Sequence, residues 1–255
     1  MFIADWLDVI FVHFRVDAAR LARRVPLQLD LYEGEAYVSL VAFTQSRLRP
    51  TVGGRLGERI VAPLAHHEFL NVRTYVRHGD DRGIFFIAEW IPNRVAAFIG
   101  PRTYGLPYRL GRLNYDGMRR EIAADGKSLM IAARGIGASP VLFAAPAALP
   151  RSGSNRERMG GAPMPRGAFD EFLLERYTAF THRNRLLRRF DVEHAPWPQR
   201  RIQVDVRNTG LLQLSGDWFA DAEFVAAHHS HGVRDVRISG PRRVAGGELS
   251  AISDQ

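Results

Sequence analysis

Apolar and polar residues alternate along much of the chain, and this alternation is the pattern of half-buried β-strands. The clearest case runs from His66 to Val76. Because successive side chains of a strand point to opposite faces, one face is apolar and the other carries hydrogen-bonding groups. The second face holds, in order, Phe69, Asn71, Arg73, Tyr75 and Arg77. Such a polar row either lines a pocket or faces water, and water is the commoner case for an antiparallel strand.

The same pattern predicts further strands over residues 6–15, 29–32, 36–43, 83–90, 108–115, 118–122, 128–134, 186–192, 201–206, 222–230 and 233–238. Helical spacing is rarer, and it predicts helices over residues 18–24, 94–99 and 169–177. Asp17 is the expected N-cap of the first helix, and Gly100 with Pro101 is the expected end of the second. Residues 33–35 predict a hairpin turn, and residues 47–64, rich in Pro, Gly and Arg, predict a long loop.

Many short strands with few helices predict a mostly β (α+β) chain built as an antiparallel barrel or sandwich. A length of 255 residues suits one larger domain, and no linker divides the chain cleanly. Residues 151–167 have little hydrophobic pattern and predict a mobile loop, which could separate a core sheet from an appended unit. From residue 241 the pattern predicts a polar tail.

Composition narrows the possible functions. The net charge is +8, but the charge is scattered, and no zinc finger, RNA-recognition signature or basic helix accompanies it, so no nucleic-acid partner is predicted. Cysteine is absent, which excludes disulfides, thiolate nucleophiles and cysteine metal sites. No apolar run approaches the ~20 residues of a membrane helix, and the N-terminus lacks a basic leader region. We expect a cytoplasmic protein with no membrane partner.

Familiar catalytic motifs are missing as well. The single lysine, Lys127, follows the Asp125–Gly126 turn, where exposure works against the lowered pKa that Schiff-base chemistry needs. There is no G-x-S-x-G elbow. The histidines of residues 228–231 invite a metal site, since His229 and His231 would share one strand face, but no further ligand motif supports it. We predict no metal and no cofactor.

Several stretches together resemble the YqjF-like bacterial family, which is similar in turn to the acetoacetate decarboxylase superfamily. The resemblance rests on VHFRVDAARLARRVPLQLDLYEGEAYVSLVAF (12–43), EFLNVRTYV (68–76), GLPYRLGRL (105–113), FLLERYTAFTHRN (172–184), HAPWP (194–198) and HHSHGV (228–233). It implies a closed or nearly closed antiparallel β-barrel around a central cavity, with a few short flanking helices and often an oligomeric assembly. It covers nearly the whole chain as a single domain, residues 1–255.

The resemblance fails at the catalytic motif. The decarboxylases carry glycine–x–proline followed by two lysines, of which the first forms the imine. The matching segment here is residues 105–109, with Tyr108 in place of the first lysine and Arg109 in place of the second. Tyrosine cannot form an imine, so the resemblance implies a retained pocket without the ancestral chemistry. A phenol beside a guanidinium can have a lowered pKa and act as acid, base or hydrogen-bond donor, or it can simply belong to the core.

Three hypotheses follow. The first is a small-molecule-binding barrel for an anionic ligand, a carboxylate, because a buried guanidinium needs such a partner. Its expected lining is Asn71, Arg73, Tyr75, Tyr108 and Arg109, with His13, Glu68 and His229 at the rim or floor. The second is a lyase or hydrolase acting on a small organic acid without a Schiff base, with Tyr108 or His229 as general acid–base. The third is a structural or interaction protein without a ligand, and a homo-oligomer is possible in each case.

Overall fold

The structure is a computed structural model that describes residues 1–134 and 167–244. The mobile loop predicted over 151–167, except Gly167, and the predicted tail beyond residue 244 lie outside the described residues.

Fifteen strands and four α-helices are formed by the described residues. The strands are β1 (Phe2–Val16), β2 (Gln28–Leu29), β3 (Ala36–Pro50), β4 (His67–His78), β5 (Asp81–Ile91), β6 (Tyr108–Leu110), β7 (Arg112–Asp116), β8 (Arg119–Ala124), β9 (Lys127–Arg134), β10 (Thr178–Arg183), β11 (Leu186–Glu193), β12 (Gln199–Arg201), β13 (Gln203–Arg207), β14 (Glu223–Ile238) and β15 (Arg242–Arg243). The α-helices are α1 (Ala18–Ala22), α2 (Gly54–Val61), α3 (Arg94–Thr103) and α4 (Ala168–Leu174). Short 3-10 helices cover Ala62–Leu64, Thr209–Ser215 and Asp217–Phe219.

The main sheet has eleven strands in the order β12-β14-β1-β3-β4-β5-β10-β11-β15, with β2 on β4 and β6 on β5. Most neighbours are antiparallel, as predicted, but β10 and β6 run parallel to β5. The sheet is therefore mixed, and the prediction of a purely antiparallel sheet is wrong at these two pairings. Strand β14 pairs with β1 and also with β11. A second, antiparallel sheet has the order β13-β9-β8-β7.

The two faces predicted for the central strand are confirmed. Leu70, Val72 and Val76 belong to a core that includes Ile122 and Leu129 of the smaller sheet. Side chains from the other face of β4, Phe69 and Tyr75, belong to a second core that also holds α4 residues. The polar row of β4 therefore lies on the side of the second core, away from the smaller sheet.

Several element boundaries differ from the prediction. The segment 47–64 is not a loop, since it contains the end of β3, helix α2 and a 3-10 turn. Helix α3 continues through Pro101 to Thr103, because the N–H of Tyr104 still reaches the carbonyl of Gly100 at 2.9 Å. The predicted first hairpin is reduced to a single Tyr32–Glu35 bridge, while β2 pairs with β4 instead. Among the described residues, no helix has the length and apolarity to span a bilayer.

Candidate functional site

A cavity of about 230 Å³ lies on the second-core side of the main sheet. Aromatic and aliphatic side chains form most of its wall, including Trp6, Phe43, Phe69, Phe86, Phe190 and Trp197. The polar side chains that reach it include His67, Asn71, Arg73, Glu89, Tyr108 and Arg176. An apolar wall with a few convergent polar groups is typical of a small-molecule site.

Strand β4 supplies three of these polar groups. His67, Asn71 and Arg73 share one face of the strand because their sequence separations are even. Phe69 lies between them on the same face and contributes to the apolar wall. The cavity therefore follows β4 along its length.

A β-bulge in β5 turns Glu89 toward the cavity. Val72 pairs with Ala88 but the next residue, Arg73, pairs with Phe86, so Ile87 has no partner on β4. Because the extra residue reverses the alternation of side chains, Phe86 and Glu89 both line the cavity although three positions separate them. Regular alternation would place Glu89 on the opposite face from Phe86.

The bulge completes a polar row across three strands. Asn71 of β4 pairs with Glu89 of β5, which pairs in turn with Tyr108 of β6. Burial raises the pKa of the Glu89 carboxyl well above its usual range. Burial thus favours the protonated carboxylic acid form of Glu89, which can donate a hydrogen bond.

The pKa of Tyr108 is shifted in the direction opposite to the lowering that a neighbouring guanidinium can cause. Burial, the nearby Glu89 and Tyr104 raise the pKa of Tyr108 well above its usual range. Arg109 is exposed, with its guanidinium carbon 5.8 Å from the ring centroid of Trp90, and it does not line the cavity. Tyr108 therefore enters the site as a protonated donor rather than as a base.

Positive charge accumulates at the Arg73 end of the cavity. Arg73 is 7% exposed, and its Nε and Nη2 have no hydrogen-bond partner among the described residues. Arg176 forms an ion pair with Asp30 at 3.0 Å, but Arg77 and Arg82 share the same carboxylate. Burial lowers the pKa of both cavity arginines, as expected for cations short of counter-charge.

Other buried polar atoms on the cavity wall are also unsatisfied. Both ring nitrogens of His67, Asn71 Oδ1 and Glu89 Oε2 have no partner within residues 1–134 and 167–244. Burial and the nearby His66 lower the pKa of His67 to about 4, so its ring is neutral at pH 7. Buried polar atoms in native proteins are usually paired, so these groups are suited to pairing with a ligand.

Three predicted site residues line the cavity: Asn71, Arg73 and Tyr108. The prediction that Tyr75, His13, Glu68, Arg109 and His229 would also lie at the cavity is not met.

The reasons differ from residue to residue. Tyr75 and His13 are buried, and each forms a hydrogen bond with Ser39. Glu68 has an odd separation from Asn71 and therefore points to the opposite face. His229 also points away from the cavity, and its Nε2 lies 2.9 Å from Asp8 Oδ1.

Sequence reasoning missed Glu89, His67 and Arg176 as cavity residues. Extending the alternation of β4 by one step beyond Phe69 would have found His67. No sequence signal marks the bulge that turns Glu89, and Arg176 reaches the cavity from the segment after α4.

The histidine cluster of residues 228–231 and the lysine do not line the cavity. His228 and His229 point to opposite sides of β14, while His229 and His231 share a face as predicted, with ring centroids 5.2 Å apart. Within the described part of the chain, no three His, Cys, Asp or Glu side chains are grouped as a metal requires. Lys127, the single lysine, begins β9 of the smaller sheet, donates a hydrogen bond to Gln213 and does not line the cavity.

Comparisons with known proteins agree with this architecture. The chain is 30% identical over 215 residues to the uncharacterized protein YqjF of Bacillus subtilis (strain 168), covering 83% of this chain and 80% of YqjF. An acetoacetate decarboxylase-like enzyme from Sphingomonas wittichii RW1 superposes with a TM-score of 0.56 at 16% identity, covering 95% of this chain and 92% of the enzyme. The enduracididine biosynthesis enzyme MppR, complexed with pyruvate, superposes with a TM-score of 0.56 at 13% identity, covering 95% and 89%. These two likenesses show that this chain has the acetoacetate decarboxylase-like fold.

The sequence profile of DUF2071, a family of uncharacterized conserved proteins, matches residues 3–234. The chain therefore belongs to the DUF2071 family.

Proposed function

We propose that this chain is a barrel protein that binds a small anionic organic ligand, a carboxylate, in the cavity beside β4. The strand pairings support the barrel: they run from β1 through β3, β4, β5, β10 and β11 to β14, which pairs again with β1. A sheet that returns on itself encloses its inner side chains. The second-core face of β4 is then the inside of the barrel.

The observation that carries the proposal is Arg73. A buried guanidinium without hydrogen bonds at Nε and Nη2 loses its hydration without compensation. These two nitrogens are adjacent and present two donors, the arrangement that binds a carboxylate through both oxygens. Arg176 adds positive charge at the same end of the cavity, which favours an anion further.

The remaining groups fit the body of such a ligand. Phe43, Phe69 and Trp197 provide an apolar wall, and the Asn71–Glu89–Tyr108 row provides neutral hydrogen-bonding groups. The structurally similar enzyme MppR was solved with pyruvate, itself a small carboxylate, which supports the ligand class through the shared fold alone.

Calorimetric titration tests the proposal with carboxylates and their neutral counterparts. Benzoate and hexanoate should bind, whereas benzamide and hexanamide should bind at least about 10-fold more weakly, because a charge-assisted hydrogen bond contributes about 1.5–3 kcal/mol. If no carboxylate of the panel binds, the structural or interaction role without a ligand is favoured instead.

The matched variants are Arg73→Met and Arg109→Met. Arg73→Met should weaken benzoate binding about 10- to 100-fold. It should also leave the free energy of unfolding unchanged or raise it by about 1 kcal/mol, because an incompletely paired buried charge is removed. The exposed Arg109→Met variant should match the wild type in both measurements. Equal loss of binding in the two variants would contradict a specific role for Arg73.

A second candidate function is a lyase or hydrolase acting on a small organic acid without a Schiff base. The observation that favours it is the pair of protonated donors, Glu89 and Tyr108, in neighbouring positions on β5 and β6. Donors placed at one point can stabilise negative charge that develops on a substrate oxygen. Incubation with small organic acids, followed by NMR of the products, should reveal turnover that Glu89→Leu and Tyr108→Phe each abolish, because both changes remove a donor. Turnover that survives in both variants would exclude this pair.

A further inference from the structure

Behind Arg73, a chain of buried polar side chains crosses the interior. Tyr75 Oη lies 2.5 Å from Ser39 Oγ, which lies 2.7 Å from His13 Nδ1. His13 Nε2 lies 3.2 Å from His228 Nδ1, and His228 Nε2 lies 3.3 Å from Asp170 Oδ1. Except for Asp170, which is 7% exposed, each of these side chains is at most 1% exposed.

The Tyr75 end of this chain fixes the direction of the hydrogen bonds. The Tyr75 hydroxyl lies 2.8 Å from the carbonyl oxygen of Leu173, which can only accept, so Tyr75 donates its one proton there. Ser39 must then donate to Tyr75, and its oxygen accepts from His13 Nδ1–H. A neutral His13 with its proton on Nδ1 presents a bare Nε2, which accepts from His228 Nδ1–H.

The Asp170 end adds a second constraint. Arg201 holds the Asp170 carboxylate at 2.7 Å, and His228 and Arg201 together keep the pKa of this carboxyl below its usual range, against the effect of burial. His228 Nε2 makes no hydrogen bond of standard geometry among the described residues, but a lone pair on it would be repelled by the ionised carboxylate 3.3 Å away, and we therefore place a proton on this nitrogen. Both ends of this hydrogen-bond chain, the Leu173 carbonyl and the Asp170 carboxylate, are acceptors. One of the two histidines between them is therefore an imidazolium, which we place at His228 beside Asp170.

At its Tyr75 end, this hydrogen-bond chain reaches Arg73, the arginine proposed to bind the ligand. Ser39 of β3 pairs in register with His13 of β1 on one side and with Arg73 of β4 on the other. The Arg73 guanidinium interacts with the Tyr75 hydroxyl, whose oxygen can accept from both Ser39 and Arg73. The position of Tyr75, and through it that of Arg73, thus depends on the proton arrangement of the two histidines.

We propose that Asp170, His228, His13 and Ser39 form a positioning relay that holds Tyr75 and Arg73 for anion binding, with one proton on the histidine pair required for affinity. The role in affinity rests on the proposed function, whereas the proton arrangement does not.

The charges around the two rings set the expected pH dependence. His13 faces Arg73 of β4, Arg201 of β12 and His228 of β14, with Asp170 of α4 as the opposing negative charge. Burial and these cations hold the pKa of His13 well below its usual value, so a second proton enters only in acid. A second proton would occupy His13 Nε2, which would then no longer accept the hydrogen bond from His228 Nδ1–H. Affinity should therefore fall in acid.

The proton arrangement is tested without any ligand. Long-range ¹H–¹⁵N spectra of the ¹⁵N-histidine-labelled wild-type chain at pH 7 should show one neutral ring protonated on Nδ1, His13, and one buried imidazolium, His228. Loss of single signals in His13→Asn and His228→Gln assigns them, and His66→Gln, at an exposed position, should leave both unchanged. If an assignment variant does not fold, the coupling between the two rings across the 3.2 Å contact in the wild type serves instead. Two neutral rings, or an imidazolium at His13, would overturn the relay.

The affinity role is tested by titrating benzoate from pH 5 to pH 9. The wild type should lose affinity toward the acid end of this range, whereas Ser39→Ala should bind about 10-fold more weakly with a flattened profile. Ser128→Ala, at an exposed serine of β9, is the control and should match the wild type. A Ser39→Ala profile equal to that of the wild type overturns the relay alone. Absence of benzoate binding to the wild type overturns the proposed function, and the spectra then decide the proton arrangement by themselves.

Discussion

At the scale of single residues, the cavity is defined by buried polar groups whose charge state is set by burial. Glu89 is 2% exposed, and no charged partner contributes to its raised pKa. His67 is neutral for the same reason, with its pKa lowered to about 4. Arg73 is the opposite case, since a guanidinium stays charged even when burial lowers its pKa. Arg73 and Arg176 are the charged groups among neutral hydrogen-bonding side chains, and this arrangement selects anions.

The raised pKa of Glu89 predicts a specific pH dependence of stability. The folded state keeps a proton that the unfolded chain releases above its ordinary pKa of about 4.5, so this group makes stability fall as pH rises above that value. Glu89→Gln removes the effect. From pH 5 to pH 7, the stability of the variant should rise relative to the wild type, by up to about 1.4 kcal/mol per pH unit.

Urea denaturation at pH 5, 6 and 7 measures this gain. Glu193→Gln, at an exposed position of β11, is the control and should follow the wild type at each pH. Parallel stability curves for Glu89→Gln and the wild type would show that Glu89 ionises in the folded protein as it does in the unfolded chain.

At the scale of elements, β4 could be predicted from the sequence and the bulge in β5 could not. Alternation predicted both faces of β4 because a regular strand obeys a period of two. In the segment GIFFIAEW the extra residue is Ile87, an ordinary strand residue that nothing in the sequence marks as a bulge. Only the pairing of β5 with β4 shows where the bulge lies. The same limit explains why Glu89 was missed while Asn71 and Arg73 were found. Contacts such as His13–Ser39 depend on strands that are distant in sequence, and no local pattern indicates them.

Helix α3 and strand β6 make a close contact that depends on Gly100. A Cβ atom at Gly100 would overlap the aromatic ring of Tyr108, whereas most glycine-to-alanine changes inside helices are stabilising by up to about 1 kcal/mol. Gly100→Ala should instead destabilise the protein by about 1–3 kcal/mol, the usual cost of overpacking. It should also weaken benzoate binding, because Tyr108 lines the cavity.

Thermal and urea unfolding measure the change in stability. Gly240→Ala is the matched control, since a Cβ there meets nothing within 4 Å, and its stability should stay within about 0.5 kcal/mol of the wild type. A Gly100→Ala protein as stable as the control would mean that α3 can move away from Tyr108 at no cost.

At the scale of the whole molecule, the expected fold class was right in its main features and incomplete in topology. The chain is mostly β with few helices, and its structural neighbours are acetoacetate decarboxylase-like proteins. The parallel pairings of β10 and β6 with β5 depend on long connections, whose direction strand patterns do not encode. Residue identity alone excludes an imine at Tyr108, so this point could be read from the sequence.

A homo-oligomer was possible from the sequence, and we propose α2 as its contact. Leu56 and Ile60 are 69% and 70% exposed, and they lie one turn apart on the same side of α2. Exposed apolar side chains grouped in this way are typical of surfaces that bind a partner. Light scattering after size exclusion should give a multiple of 28.7 kDa, and the double change Leu56→Glu with Ile60→Glu should reduce it to that mass.

Leu110→Glu is the control for a single exposed apolar residue elsewhere, and it should leave the assembly unchanged. A wild-type chain that elutes as a monomer at all concentrations would contradict the oligomer, and an unchanged double variant would exclude α2 as the contact.

The central claim is that Arg73 holds a carboxylate inside the cavity. A crystal structure of the protein with 4-bromobenzoate tests it most directly, because anomalous scattering from bromine fixes the direction of the ligand. The account predicts both carboxylate oxygens within hydrogen-bond distance of Arg73 Nε and Nη2, with the brominated ring against Phe43 and Phe69. A cavity that stays empty at saturating 4-bromobenzoate, or a carboxylate directed away from Arg73, would contradict it.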